Sequence, residues 1–254
     1  MNPEPDAPAA WRGSLGDDLV LLSVWQGGGR IGSPHMTGIG LMGSELVRLA
    51  TAGRIDITNG RISVTDPAPT GDAEADAALA SLVSARRPPR ARDWCARPRR
   101  GICDAYLERL AGAGVVSAEQ QTRLGFIRVT RWRISDPARV ADARARLDAI
   151  AYGSGQVDLT QAAFGGLAYA IGLAGGLYPG RDKRALRKRF ERIAAGELTA
   201  GADAGTVPHS ASSSVHAASH AAVSAAVHSA TNAAVSAAHS AHGSAASGGG
   251  HGGH

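Results

Sequence analysis

Apolar residues recur at helical spacing through most of this chain and alternate with polar ones in two stretches. Leu19, Val20, Leu22 and Val24 predict a first helix over residues 15–24, with Asp17 and Asp18 in its first turn, where the helix dipole favours negative charge. Leu46, Leu49 and Ala50 mark one face of a second helix, which Gly53 ends because glycine turns left-handed without steric cost. A hairpin follows: Ile55 and Ile57 alternate with polar residues, Asn59-Gly60 supplies a tight turn, and Ile62 and Val64 return with the same alternation. Thr70 and Asp72 both stand where a side-chain oxygen could cap a helix beginning near Ala73. The order helix, β-wing, capped helix organises this half of the chain.

Ala77, Leu79, Leu82 and Val83 are the expected packing residues of the third helix. Ile102, Tyr106 and Leu110 then share a face of another helix, with Leu107 and Cys103 beside them, Cys103 as a small buried hydrophobe. Val115 and Val116 open a second hairpin that returns through Val129 to Ile134. Val140, Ala143, Leu147 and Ile150 make a stripe, Leu159, Phe164, Leu167, Ala168 and Ile171 a broad apolar helix, and Leu186, Phe190 and Ile193 the inner face of a basic one. The pattern predicts a mainly α-helical domain with two β-hairpins, one of them a winged-helix-like wing.

Composition divides the 254 residues into an acidic, Pro/Ala-rich leader at 1–13 expected to be disordered, a domain at 14–200, and a disordered tail at 201–254. The tail is rich in Ala, Ser, His and Gly and uncharged beyond Pro208, so the formal net charge of +5 belongs to the domain. Arginine supplies nearly all of the positive charge, and the Arg/Ala/Gly bias suggests a GC-rich bacterial genome. Cys95 and Cys103 fit neither a zinc pattern nor a disulfide framework, consistent with a reducing cytoplasm. The uncharged run 162–178 carries glycines at 165, 166, 172, 175 and 176 and falls short of the roughly 20 apolar residues of a membrane span. It reads as buried helix.

Residues 38–43 spell G-x-G-x-x-G, but a polar loop precedes them and a local hairpin follows, so the strand and βαβ unit of a dinucleotide site are missing. Two readings stay open: small residues that let a helix pack closely, or free amides over Gly38 to Leu41 that hold an anion. Residues 86–100 carry seven arginines against Asp93 alone, a net +6, which is either a solvated loop or a surface for phosphate-bearing partners. Trp94 would anchor that segment. The tip of the second hairpin puts Leu124, Phe126 and Ile127 where a turn is normally polar, flanked by Arg123, Arg128, Arg131 and Arg133. An apolar tip with a basic collar suits bilayer entry, since each basic residue near anionic lipid adds roughly 1 kcal/mol. Packing on another subunit is the competing reading. No nucleophile elbow, HExxH zinc motif, paired-cysteine site or Walker loop is present, and the expectation is a binder with no catalytic residue, no metal and no cofactor.

The run GSELVRLATAGRID, the wing, and DPAPTGD leading into an Ala/Leu helix resemble the Golgi phosphoprotein 3 family, in a bacterial, actinobacterial-like form. The likeness continues in order over residues 14–198, through DDLVLLSV, Trp94, YLERLAGAGVV and RVTRWRISDP. It implies a cytosolic helical domain that binds phosphatidylinositol 4-phosphate on membranes and gathers the tails of membrane enzymes. The family's headgroup tryptophan falls at Ser33 and its nearby arginine at Met42, while its Arg-x-x-Arg pair falls at Arg100 and Cys103, so Arg100 alone matches. Trp25, Arg30, Arg97 and Arg99 stand near enough in sequence to compensate.

The sequence therefore predicts a cytoplasmic, peripherally membrane-associated binder of anionic phospholipid headgroups, and an adaptor for membrane-protein tails. Arg100, Arg97, Arg99, Arg30 and Trp25 would meet the headgroup, and Leu124, Phe126, Ile127, Arg128 and Arg131 the bilayer. One alternative is a winged-helix-like nucleic-acid binder, against which Glu45 and Arg48 cancel on the helix that would enter a groove. The other is a protein-only scaffold that forms a homo-oligomer through the second hairpin.

Overall fold

Helix α1 (Leu15–Gln26) begins on a reciprocal cap: the Ser14 side chain accepts from the Asp17 amide while the Asp17 carboxylate accepts from the Ser14 amide. In this computed structural model, which describes residues 14–123, 127–178, 180, 183–194, 197–198 and 217–218, α1 is the central rod. Leu19 to Leu22 and Val24 are all buried, so the helix is covered on every side instead of along one stripe.

Helix α2 (Pro34–Thr51) starts a turn earlier than the glycine cluster, with Pro34 in its first turn. Gly38 to Gly43 therefore lie inside the helical hydrogen-bond ladder, and the expectation of free amides over Gly38 to Leu41 is corrected. Close packing explains the glycines: a Cβ on Gly38 would come 2.8 Å from Pro98, and one on Gly40 2.8 Å from Ile171. The helix is buried from Thr37 to Val47, so it has no open face to lay in a nucleic-acid groove.

The wing forms as patterned. β1 (Ile55–Thr58) and β2 (Arg61–Val64) pair antiparallel with Thr58 opposite Arg61, and Asn59 and Gly60 take φ of 52° and 71°. Ile55, Ile57 and Ile62 point into the core. A third segment then joins from the arginine-rich stretch: Ile62 N–H donates to Pro89 O and Ala91 N–H to Gly60 O, both at 2.9 Å. α3 (Ala73–Val83) is capped by Asp72, which accepts from the Glu74 and Ala75 amides. Thr70 instead donates to Asp76. Ala75, Ala78, Leu79 and Leu82 are its buried face, and Val83, expected to pack, is turned to solvent.

The prolines of the arginine-rich segment leave room for a short helix, α4 (Ala91–Cys95), which buries Ala91 and Cys95 and packs the half-buried Trp94 on the core. α5 (Ile102–Gly112) follows, then β3 (Val116–Arg123) and β4 (Ile127–Ile134), paired from Val116 opposite Ile134 to Arg123 opposite Ile127. α6 (Pro137–Tyr152) buries the predicted stripe. The apolar run 162–178 breaks at Gly172, φ 81°, into α7 (Leu159–Ala170) and α8 (Leu173–Leu177). No described helix is long and apolar enough to cross a membrane. α9 (Lys183–Ala194) turns Leu186, Phe190 and Ile193 inward.

Buried charge stitches these helices together. Asp18, fully buried on α1, pairs with Arg139 at 2.9 Å and Arg146 at 2.7 Å on α6. Arg109 of α5 binds Asp17, the Ser14 hydroxyl and Asp72, and Arg48 joins Asp72 from α2. The leader, Leu124 and Phe126 at the hairpin tip, and nearly all of the tail lie outside the described residues. Ala217 and Ala218 are described, and both pack on the core.

Candidate functional site

A cleft of about 370 Å³ opens where α2 and α5 begin, walled by β4. The chain enters α5 through Pro98 and through Gly101, whose φ is 76° and which offers no side-chain cap. Ile102 N–H turns back to Arg99 O and Ala105 N–H bonds Gly101 O. The Cys103 and Asp104 amides between them thus lack a backbone partner among the described residues, and both residues line the cleft. Unpaired first-turn amides suit an anion, though the Asp104 carboxylate works against one.

Arg30 and Arg99 bring positive charge to the cleft. Arg30 is exposed and forms no ion pair among the described residues, whereas Arg99 is tied to Glu74. Arg97 and Arg100 flank Pro98 and Arg99 in sequence, are exposed, and make no ion pair among the described residues; neither side chain lines the cleft. The Cys103 thiol is pushed up to about 11 by burial and by the neighbouring Asp104, so it stays protonated and adds no charge. Its Sγ sits 3.5 Å from Pro34 O.

The β4 wall was not anticipated. Thr130 and Trp132 face the cleft, because side chains alternate along a strand. Arg131 and Arg133 on the opposite face, with Glu119, line a second depression of about 400 Å³ that contains Trp25. Trp25 thus lines this depression and not the cleft that holds Arg30. The strand is held where it is by the loop after α1: Trp132 N–H donates to Gly29 O at 2.8 Å and the Arg131 guanidinium to Gly28 O at 3.0 Å. Gly29 is required there, since its φ is 94° and a Cβ would meet Trp132 O at 2.8 Å. Arg131, expected at the bilayer, therefore spends a donor on the body. Arg128 is exposed, and Ile127 is placed by its backbone pairing with Arg123.

Behind the cleft, α5 also carries Tyr106, whose hydroxyl donates to the fully buried Glu45 of α2. The other Glu45 oxygen has no hydrogen-bond partner among the described residues. Burial pushes the Glu45 carboxyl up to about 7, with Asp72 and Glu74 raising it further and Arg48 and Arg109 pulling it down. In sequence Glu45 reads only as a charge cancelling Arg48; its helical phase with the buried Leu41 and Leu49 was the signal that pointed inward.

The fold and cleft define a mainly helical domain with an open, arginine-bearing pocket between two helix entries, walled by a projecting hairpin. The chain belongs to the Golgi phosphoprotein 3 (GPP34) family, whose model matches residues 15–229. A search of the curated proteins found no match. Of the positions that the family resemblance singled out, Cys103 lines the cleft, Ser33 is exposed at the start of α2, and Met42 is buried in the core.

Proposed function

We propose that this protein is a peripheral binder of anionic phospholipid headgroups, with the phosphate seated between Arg30, Arg99 and the first turn of α5. The observation that carries the reading is Arg30: a guanidinium in a 370 Å³ cleft, without an ion-pair partner among the described residues, beside two unpaired amides. Arg97 and Arg100 add positive charge next to the cleft, and Trp132 offers an aromatic wall where the family tryptophan position holds Ser33. Family membership supports a phosphoinositide such as phosphatidylinositol 4-phosphate as the preferred lipid and the tails of membrane proteins as clients. The protein works as a binder at the cytoplasmic face, without catalysis.

Flotation with vesicles tests this reading. Neutral, generic anionic and phosphatidylinositol 4-phosphate-bearing vesicles are compared at two salt concentrations, with DNA as competitor. Selective flotation with the phosphoinositide supports the full proposal. Salt-sensitive flotation with any anionic lipid supports the coarser one. Failure to float under every condition, or loss to DNA with a steep salt slope, refutes it.

A further inference from the structure

Trp25 does not serve the cleft, yet it is one of the most exposed large apolar side chains of the described residues, at 45%; the others are Val83 at 53% and Tyr152 at 62%. Two of these three are aromatic, and Arg144 links them, directly to Trp25 and through the buried Tyr178 to Tyr152. The Arg144 guanidinium carbon lies 6.0 Å from the centre of the Trp25 ring and 4.5 Å from that of Tyr178. The Tyr178 ring meets Tyr152 edge-on at 5.8 Å. Trp25, Arg144, Tyr178 and Tyr152 therefore form one strip that joins the end of α1 to the end of α6.

The strip is held in place. Arg144 donates to Asp148 at 2.9 Å and to Leu177 O at 3.2 Å, while the Tyr178 hydroxyl donates to Asp148 at 2.6 Å. At its Trp25 end it opens into the second depression, with Arg131 and Arg133 of the hairpin. The nearest acids are already engaged, Asp148 by Arg144 and Tyr178, Glu119 by Arg133. What faces solvent is thus the Trp25 and Tyr152 rings with part of the Arg144 side chain between them, while Tyr178 is the buried bridge beneath.

We infer that this strip is a second membrane contact, on which the body of the protein lies at the headgroup level of an anionic bilayer. Tryptophan and tyrosine favour that level because one part of each ring is apolar and another can hydrogen-bond. Arginine beside them meets lipid phosphate with a fixed fork of donors. Arg131 and Arg133 beside Trp25, with Arg144 between the rings, complement an anionic surface, and the exposed apolar area is confined to Trp25 and Tyr152, not a groove that could seat a helix. The inference rests on the lipid-binding reading above and adds an orientation: α1 and α6 end at the membrane, while α3, which ends in Val83, does not.

Tryptophan quenching by brominated lipid tests it on the full chain. Vesicles containing brominated phosphatidylglycerol are mixed with the wild type and with Trp25→Phe, Tyr152→Trp and Val83→Trp, each checked for flotation. The strip predicts that Trp25→Phe lowers the quenched fraction, that the tryptophan added at 152 is quenched, and that the one added at 83 is not. Trp25→Ala/Tyr152→Ala should weaken flotation about tenfold without lowering the melting temperature. If the chain floats while the tryptophans at 25 and 152 stay unquenched, or if all three positions are quenched alike, the orientation is wrong and the lipid-binding reading survives. If no chain floats, both fail. A dimer in solution that the double alanine variant makes monomeric would assign the strip to a second copy instead and overturn the inference.

Discussion

The two hairpins share a topology and differ in almost everything else. β1–β2 is four residues a side, turns three isoleucines into the core and gains a third segment at its edge from Pro89 and Ala91. β3–β4 is eight residues a side, and most of the described side chains along it face water. The first is part of the core. The second is an arm, fixed at its base by Gly28 and Gly29, which walls two depressions, with Trp132 lining both. A hairpin that buries little adds little to stability, so its sequence is free to serve a binding surface.

That contrast can be broken in several places. The largest effect is expected from Ile62→Asp in the wing: an uncompensated carboxylate at a position 2% exposed should cost about 4 kcal/mol or more and abolish a cooperative melt. Next comes Glu45→Gln on α2. Folding raises this carboxyl from 4.5 to about 7, so the folded chain holds a proton that the unfolded chain releases. Its ionisation therefore costs the fold nothing below about pH 4.5, destabilises increasingly up to about pH 7, and costs a constant amount above that. The neutral amide should gain about 3 kcal/mol at pH 8 and close to nothing at pH 4, read from denaturant melts at the two pH values.

A smaller and more local loss is expected at the arm. Gly29→Val puts a β-branched side chain at φ 94° against Trp132 O. It should cost about 2 kcal/mol and speed hydrogen exchange at the Trp132 amide while the wing amides keep their protection. The smallest change belongs to Gln120→Ala on the exposed length of β3, within about 0.5 kcal/mol in a thermal melt. An arm that melted the whole protein when loosened would erase the distinction between the hairpins.

The wing was legible because its signals are local: alternation at period 2 and an Asn-Gly turn set strand, register and face together. The stripes of α6 and α9 were legible for the same reason. What stayed hidden depends on partners far away in sequence. Asp18 reads as a first-turn acid satisfying a helix dipole, and only Arg139 and Arg146 on α6 show it to be a buried ion centre. Trp132 reads as one residue of a strand, and only the backbone bond to Gly29 O shows that this strand lies along the cleft. The start of α2 was read late because Pro34 and His35 look like loop, whereas proline suits the first helical turn. Arg30 and Arg99 were legible as candidates by their charge, but not the pairing of Arg99 with Glu74, which leaves Arg30 as the cleft's unpaired cation among the described residues.

The central claim is that the cleft beside the arm takes an anionic headgroup, and charge reversal of residues without structural partners tests it most directly. Arg30 and Arg100 are exposed and make no ion pair among the described residues, so Arg30→Glu/Arg100→Glu should leave the melting temperature unchanged. Binding to anionic vesicles, measured by flotation at low salt, should fall at least tenfold. Unchanged flotation of a folded double variant would contradict the account.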